Sequence, residues 1–186
     1  MKLIKWCLEN QKEQWILYTY NGIQWQQVSH LSVARRTYFF QMLNSLREPI
    51  DFALVGLYLP YRNGIYAAMP RAQIIIQPEE LYQFVRHFQQ MPIQVLEEVA
   101  VSMDKQLKED QQEVDDFLTT FYHAQSMDEA KDIYERWQME RSLWNELGNK
   151  LLLMMHVYEE EILNYFKYQL ILKELIYLPN DKIYLG

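Results

Sequence analysis

At 186 residues, with 49% hydrophobic and 23% charged positions, the chain can bury a real core in one large or two small domains, which excludes a disordered protein. Its single cysteine, Cys7, excludes an intramolecular disulfide and points to a reducing, cytoplasmic setting. The formal charge of −7 is unevenly spread: residues 1–78 hold eight Lys/Arg against four Asp/Glu, and residues 79–186 hold ten against twenty-one. That balance argues against general binding to nucleic-acid phosphates, which needs a cationic surface.

Lys2 to Leu8 reads as a strand. Trp15 to Tyr20 and Ile23 to Val28 are β-prone runs around Asn21-Gly22, the strongest short hairpin signal, because a type I′ turn needs positive φ at both central residues. Ser32 is suited to cap a helix running to about Leu46, with Ala34, Tyr38, Phe39, Met42 and Leu46 on one stripe. Phe52 to Leu59 is apolar on both alternating faces, which predicts a strand covered on both sides. Asn63-Gly64 predicts a second hairpin into Ile65 to Met69, and residues 71–77 add a strand or continue that hairpin.

After Pro78 the apolar period becomes helical. A helix is expected over about Glu79 to Gln90, with its glutamates at the positive N-terminal end. Pro92 opens a second helix, striped by Leu96, Val99, Met103, Leu107, Val114, Phe117, Leu118 and Phe121 and interrupted at Asp110-Gln111. Ser126 and Glu129 form a capping box for a third, carrying Ala130, Ile133, Trp137, Trp144 and Leu147. Gly148-Asn149 marks an end or kink before a last helix over about Lys150 to Leu178. Unbroken, residues 127–178 would reach about 75 Å, so either a break near Gly148 or a projecting arm is expected. Neither apolar stretch in this last region, 151–158 or 168–178, reaches the roughly 20 residues a membrane span needs, and Met1 to Trp6 lacks the apolar region of a signal peptide.

The expected class is therefore α+β. An N-terminal antiparallel sheet built from two Asn-Gly hairpins with an intervening helix (1–78) leads into a C-terminal bundle of long antiparallel helices (79–186), the two forming one globular unit.

Motifs for chemistry are sparse. No glycine-rich phosphate loop or nucleophile elbow occurs. His30, His87, His123 and His156 lack the spacing of a metal site, so neither metal nor cofactor is expected; His156, inside an apolar run near Glu159 and Glu160, reads as a core or interface histidine. Cys7 reads as a buried residue beside Trp6 and Leu8. Arg35 and Arg36 read as internal partners of the acidic half.

Two features suit a protein partner. Asp104, Glu109, Asp110, Glu113, Asp115 and Asp116 crowd one helix, with Glu109, Glu113 and Asp116 on one face, where they could steer a basic surface. Trp25, Tyr61 and Tyr66 lie among the aromatics of the hairpins and could anchor it. The expected function is a non-enzymatic cytoplasmic interaction protein that occludes a basic or nucleic-acid-binding protein, as immunity proteins, anti-defence inhibitors and secretion chaperones do, without touching nucleic acid or membrane. The alternatives are an enzyme with a site of dispersed polar residues, and a homodimer paired through Leu151, Met155, Tyr158, Ile162, Tyr165 and Leu172.

Overall fold

The computed structural model describes residues 1–9, 12–32, 39–46, 49–89, 97–141 and 145–176. In chain order these form β1 (Lys2–Glu9), β2 (Lys12–Tyr20), β3 (Trp25–Ser32), α1 (Phe39–Ser45), β4 (Phe52–Leu54), α2 (Leu59–Ala68), β5 (Gln73–Ile75), α3 (Pro78–Gln89), α4 (Glu97–Tyr122), α5 (Met127–Glu140), α6 (Glu146–Val157) and α7 (Glu159–Ile176). The chain divides into two compact units, one of residues 1–75 with 167–186, the other of residues 76–166. The α+β class holds: a sheet near the N-terminus, then helices.

In the first unit the described strands order as β3-β2-β1-β4-β5. β1, β2 and β3 pair antiparallel, but β4 and β5 join in parallel, so the sheet is mixed rather than antiparallel. Asp51 ties the parallel half together. Its carboxylate accepts from the Lys2 N–H at 2.7 Å, its N–H donates to the Lys2 carbonyl at 2.9 Å, and its carbonyl accepts from the Gln73 N–H at 2.8 Å.

The alternation along the strands splits the core into two layers. On one face Ile4, Trp15, Ala53 and Ile74 are buried, and Trp15 meets Phe39 of α1 and Tyr61 of α2 at ring-centroid distances of 4.8 and 5.3 Å. On the other face Phe52 packs against Tyr168 of α7 at 5.1 Å, and Tyr168 donates to Gln73 at 3.4 Å. The Trp25 indole N–H donates to the Ile171 carbonyl at 3.0 Å. With both faces covered, β4 is buried throughout, as its unbroken apolar run implies.

The first Asn-Gly forms its hairpin, with a four-residue loop in place of a two-residue type I′ turn. Asn21 Oδ1 accepts from the Ile23 and Gln24 N–H groups at 2.9 and 3.0 Å, and Gly22 takes a φ of +98°. The second Asn-Gly forms no hairpin: Asn63 and Gly64 sit inside α2. Pro60 stands in the first turn, and Tyr61, Gly64 and Ile65 share a buried face at helical spacing. Burial of that face outweighs the local turn preference. The second hairpin is instead β1–β2, where Glu9 stands opposite Lys12. Ser32 ends β3 opposite Gln14 instead of opening a helix, and α1 is described from Phe39 onward. Ala34, Arg35, Arg36 and Tyr38 lie outside the described residues.

In the second unit α4 packs against α5 and α6, and α3 against α4 and α6. Pro92 and Leu96 lie outside the described residues, but the lower part of the α4 stripe is buried as expected: Val114, Phe117, Leu118 and Phe121. Trp137 of α5 stacks on Phe117 at 4.0 Å and 13°. The capping box opens α5: the Glu129 N–H donates to Ser126 Oγ at 3.2 Å, and the Glu129 carboxylate accepts from the Gln125 N–H at 2.7 Å.

The expected break at Gly148 falls elsewhere. α5 ends at Glu140, and α6 begins after Asn145, its N-cap. Gly148 lies within α6's first turn, where its N–H donates to Asn145 Oδ1 at 2.6 Å. A Cβ there would stand 3.1 Å from Asn145 Cγ, so the glycine makes room for the capping side chain. A further break at Tyr158 separates α6 from α7 and leaves Glu159, Glu160 and Glu161 in α7's first turn, where the helix dipole favours carboxylates. Two breaks divide the long apolar region into packable lengths. Among the described residues no helix is long and apolar enough to cross a membrane.

Candidate functional site

The acidic stretch of α4 does not present itself as one surface. Asp110 occupies the inward stripe four residues before Val114 and is 7% exposed. Glu109 and Asp116 are exposed, while Glu113 and Asp115 are half-buried on the flanks. Asp104 lies on α4 with its side chain outside those described. The expected face of Glu109, Glu113 and Asp116 therefore forms with its middle member partly covered, and Asp110 leaves it.

Asp110 has a structural place. Asn145 Nδ2 donates to its backbone carbonyl at 3.0 Å, while the Asn145 Oδ1 caps α6, so one fully buried amide joins α4 to the start of α6. The register interruption at Asp110-Gln111 was visible in the sequence; its partner, thirty-five residues later, was not.

Two of the outward acids are held by glutamine amides on the same helix. Gln112 Nε2 donates to Asp116 at 2.7 Å and Gln111 Nε2 to Asp115 at 3.4 Å, both across one helical turn. Many other acids of this unit have a helix end to stabilise: Asp128 and Glu129 on α5, Glu146 on α6 and Glu159 to Glu161 on α7 stand in first turns. Glu109 and Asp116 sit beyond the first turn of α4. By sequence the unit 76–166 contains nineteen Asp/Glu against seven Lys/Arg, and the other unit six against eleven. Net charges of −12 and +5 follow, a sharper separation than the division at residue 78 suggested.

The aromatic candidates separate as well. Tyr61 is 2% exposed, its ring 4.5 Å from Phe39 and 4.7 Å from Tyr58, so it belongs to the core of the first unit rather than to its surface. Trp25 and Tyr66 are half-buried, Trp25 5.2 Å from Tyr20 and Tyr66 beneath the Arg62 guanidinium at 5.7 Å. His156 is exposed on the outer face of α6 with Leu153 and Val157, which overturns the core half of its core-or-interface reading. It stands in that helix's last turn. All six members of the proposed pairing stripe (Leu151, Met155, Tyr158, Ile162, Tyr165 and Leu172) are buried within the chain, so it is not free to pair with a second copy.

An open groove of about 410 Å³ lies in the first unit, walled by Leu43, Leu46, Ile50, Met69 and Ala72 with Arg71 and Asn44 as its polar groups. In the second unit Tyr134 is buried, which pushes its hydroxyl above the ordinary 10.0. Tyr134 does not line that groove; with Glu159 it lines a separate small cavity in the second unit, otherwise walled by Phe121, Met155, Ile162 and Leu163.

The raised phenol has a pH signature. Because its folded pKa exceeds the unfolded one, the stability tied to the neutral hydroxyl is complete below about pH 10 and is lost as pH climbs through the folded value. Unfolding free energy should fall more steeply above about pH 10 in the native chain than in Tyr134→Phe. Equal slopes would show that Tyr134 does not couple to folding.

No protein-family model and no curated protein matches this chain, so its function has to be argued from the chemistry of its own surfaces.

Proposed function

We propose that the chain is a non-enzymatic, cytoplasmic interaction protein that binds and occludes a partner with a basic surface, most specifically a nucleic-acid-binding protein, in the manner of an immunity protein, an anti-defence inhibitor or a secretion chaperone. The observation that carries this reading is the placement of Glu109 and Asp116: exposed, well inside α4, on a unit with a net charge of −12. Such a field raises encounter rates with a basic site by about 10 to 1,000-fold, and salt screens the effect. Occlusion follows once the acidic unit covers the groove that would otherwise hold phosphates. Trp25 and Tyr66 remain available as anchors; Tyr61, committed to the core, does not.

The test is capture of the partner from native lysate, followed by association kinetics at low and high salt. Reversing Glu109, Glu113 and Asp116 to Lys is expected to slow association about tenfold or more at low salt and to flatten its salt dependence, with a smaller change in dissociation. The neutral Glu109→Gln, Glu113→Gln, Asp116→Asn variant should fall between. An association rate indifferent to both variants and to salt would remove the acidic face from the mechanism.

A further inference from the structure

β4 and β5 lie side by side in parallel, so the two helix-to-strand connections, α1 to β4 and α2 to β5, enter the sheet at the same end. The open groove of the first unit is lined from both of them. Each wall is fixed by its own turn: the Leu46 N–H donates to the Leu43 carbonyl at 3.2 Å, and the Ala72 N–H to the Met69 carbonyl at 3.0 Å. The Gln73 N–H, donating to the Asp51 carbonyl at 2.8 Å, ties one connection to the other. Leu43, Ile50 and Ala72 are buried and form an apolar floor, while Leu46 and Met69 are half-buried. The volume of about 410 Å³ falls in the range of about 300–1,000 Å³ that small-molecule sites occupy.

We propose that this groove binds a small amphipathic carboxylic acid, its apolar body laid along the floor and its carboxylate on the Arg71 guanidinium. Charge selects the ligand. Arg71 is exposed at the groove, and among the described residues it makes no ion pair. Among the described residues no Asp or Glu lines the groove, and its other polar side chain, Asn44 on the opposite wall, is uncharged. By sequence the whole unit carries +5. A cationic ligand would therefore meet its own sign, and a neutral one would leave the Arg71 charge unused. The parallel N–H groups of a guanidinium match the two oxygens of a carboxylate, whose single charge one arginine balances. Covering Leu46 and Met69 takes apolar surface out of water, which holds the body of the ligand. The groove uses none of the acidic residues of α4, so this inference stands or falls independently of the proposed function.

The probe is octanoate, titrated into the intact chain and followed by calorimetry and by backbone amide shifts. The expected result is saturable one-to-one binding at millimolar concentration, with shifts centred on residues 43–46, 49–50 and 68–72. Acetate, which lacks the apolar body, should not bind, and octanol, which lacks the charge, should bind about tenfold or more weakly than octanoate. Arg71→Gln should weaken octanoate by a similar factor and remove its advantage over octanol, while Arg71→Lys keeps part of it. Ala68→Trp, at an exposed position lining the groove, should block octanoate without changing the far-UV circular dichroism. The inference is overturned by an absence of saturable binding, by shifts centred outside the groove, or by octanol binding as tightly as octanoate. An Arg71→Gln variant that holds octanoate as tightly as the native chain overturns it too. If Ala68→Trp misfolds, Arg71→Gln and the octanol comparison decide alone.

Discussion

Trp15→Ala is expected to cost about 3–5 kcal/mol of folding free energy, a large share of the roughly 5–15 kcal/mol that holds a domain together. Trp15 is fully buried and joins two helices to the sheet: its ring lies on Phe39 of α1 and edge-on to Tyr61 of α2, while its strand pairs with both β1 and β3. Truncation leaves a cavity that stiff aromatic neighbours cannot collapse to fill. Trp15→Phe should cost far less. Among the described residues the buried indole N–H finds no hydrogen-bond partner, so removing it relieves a desolvation penalty that partly offsets the lost ring. Ile23→Ala, at an 82% exposed position, should shift stability by no more than about 0.5 kcal/mol. Urea unfolding followed by tryptophan-independent far-UV dichroism measures all three. Equal losses for Trp15→Ala and Ile23→Ala would mean that the aromatic cluster does not hold the sheet to its helices.

The second large effect belongs to Asn145. Its amide makes two bonds from a fully buried position, accepting from the Gly148 N–H at 2.6 Å and donating to the Asp110 carbonyl at 3.0 Å. Asn145→Ala removes the cap and takes the second donor from the buried Asp110 carbonyl, for an expected loss of about 1–3 kcal/mol. Asn145→Asp separates the two roles. It keeps an acceptor for Gly148, at a helix start that favours negative charge, but loses the donor to Asp110 and sets a carboxylate against a carbonyl oxygen. It should therefore also destabilise, and the loss should shrink as pH falls and the carboxyl becomes protonated and able to donate. Gly148→Ala should destabilise for a third reason, since its Cβ would crowd the capping side chain at 3.1 Å. Denaturant unfolding of the three variants, with Asn145→Asp repeated between about pH 4 and 7, checks the series. An Asn145→Asp variant as stable as the native chain would show that the bond to Asp110 contributes nothing.

Asp110 also shows how acidic composition can mislead. Six carboxylates within thirteen residues look like one surface, yet a helix turns its sides through 100° per residue, and one of the six had to face inward. The sequence contained the clue, a missing apolar residue in the stripe, but it could not say what would satisfy the buried position. Tyr61 carries the same lesson for aromatics. Residue type suggested an anchor for a partner, whereas the packing of α2 on Trp15 made it core.

Local physics was legible from the chain alone wherever a few adjacent residues carried the whole signal. Asn21-Gly22 makes its turn through the side chain of Asn21 and a positive φ that glycine supplies, and Ser126 with Glu129 opens α5 through bonds made within residues 125–129. One boundary between the two units, at residues 75 and 76, lies near Pro78, where the strand period gives way to the helix period; the other, at 166 and 167, has no such mark in the sequence. Tertiary structure decided what depends on distant burial: Asn63-Gly64 became helical because Tyr61 and Ile65 had a core to fill, and β4 and β5 paired in parallel through contacts no local pattern encodes. It also set the end of α7, whose residues from 167 onward group with the sheet although the helix itself runs on unbroken from Glu159 to Ile176. A turn preference is worth little beside the burial of an apolar face, so where the two compete only the folded chain gives the answer.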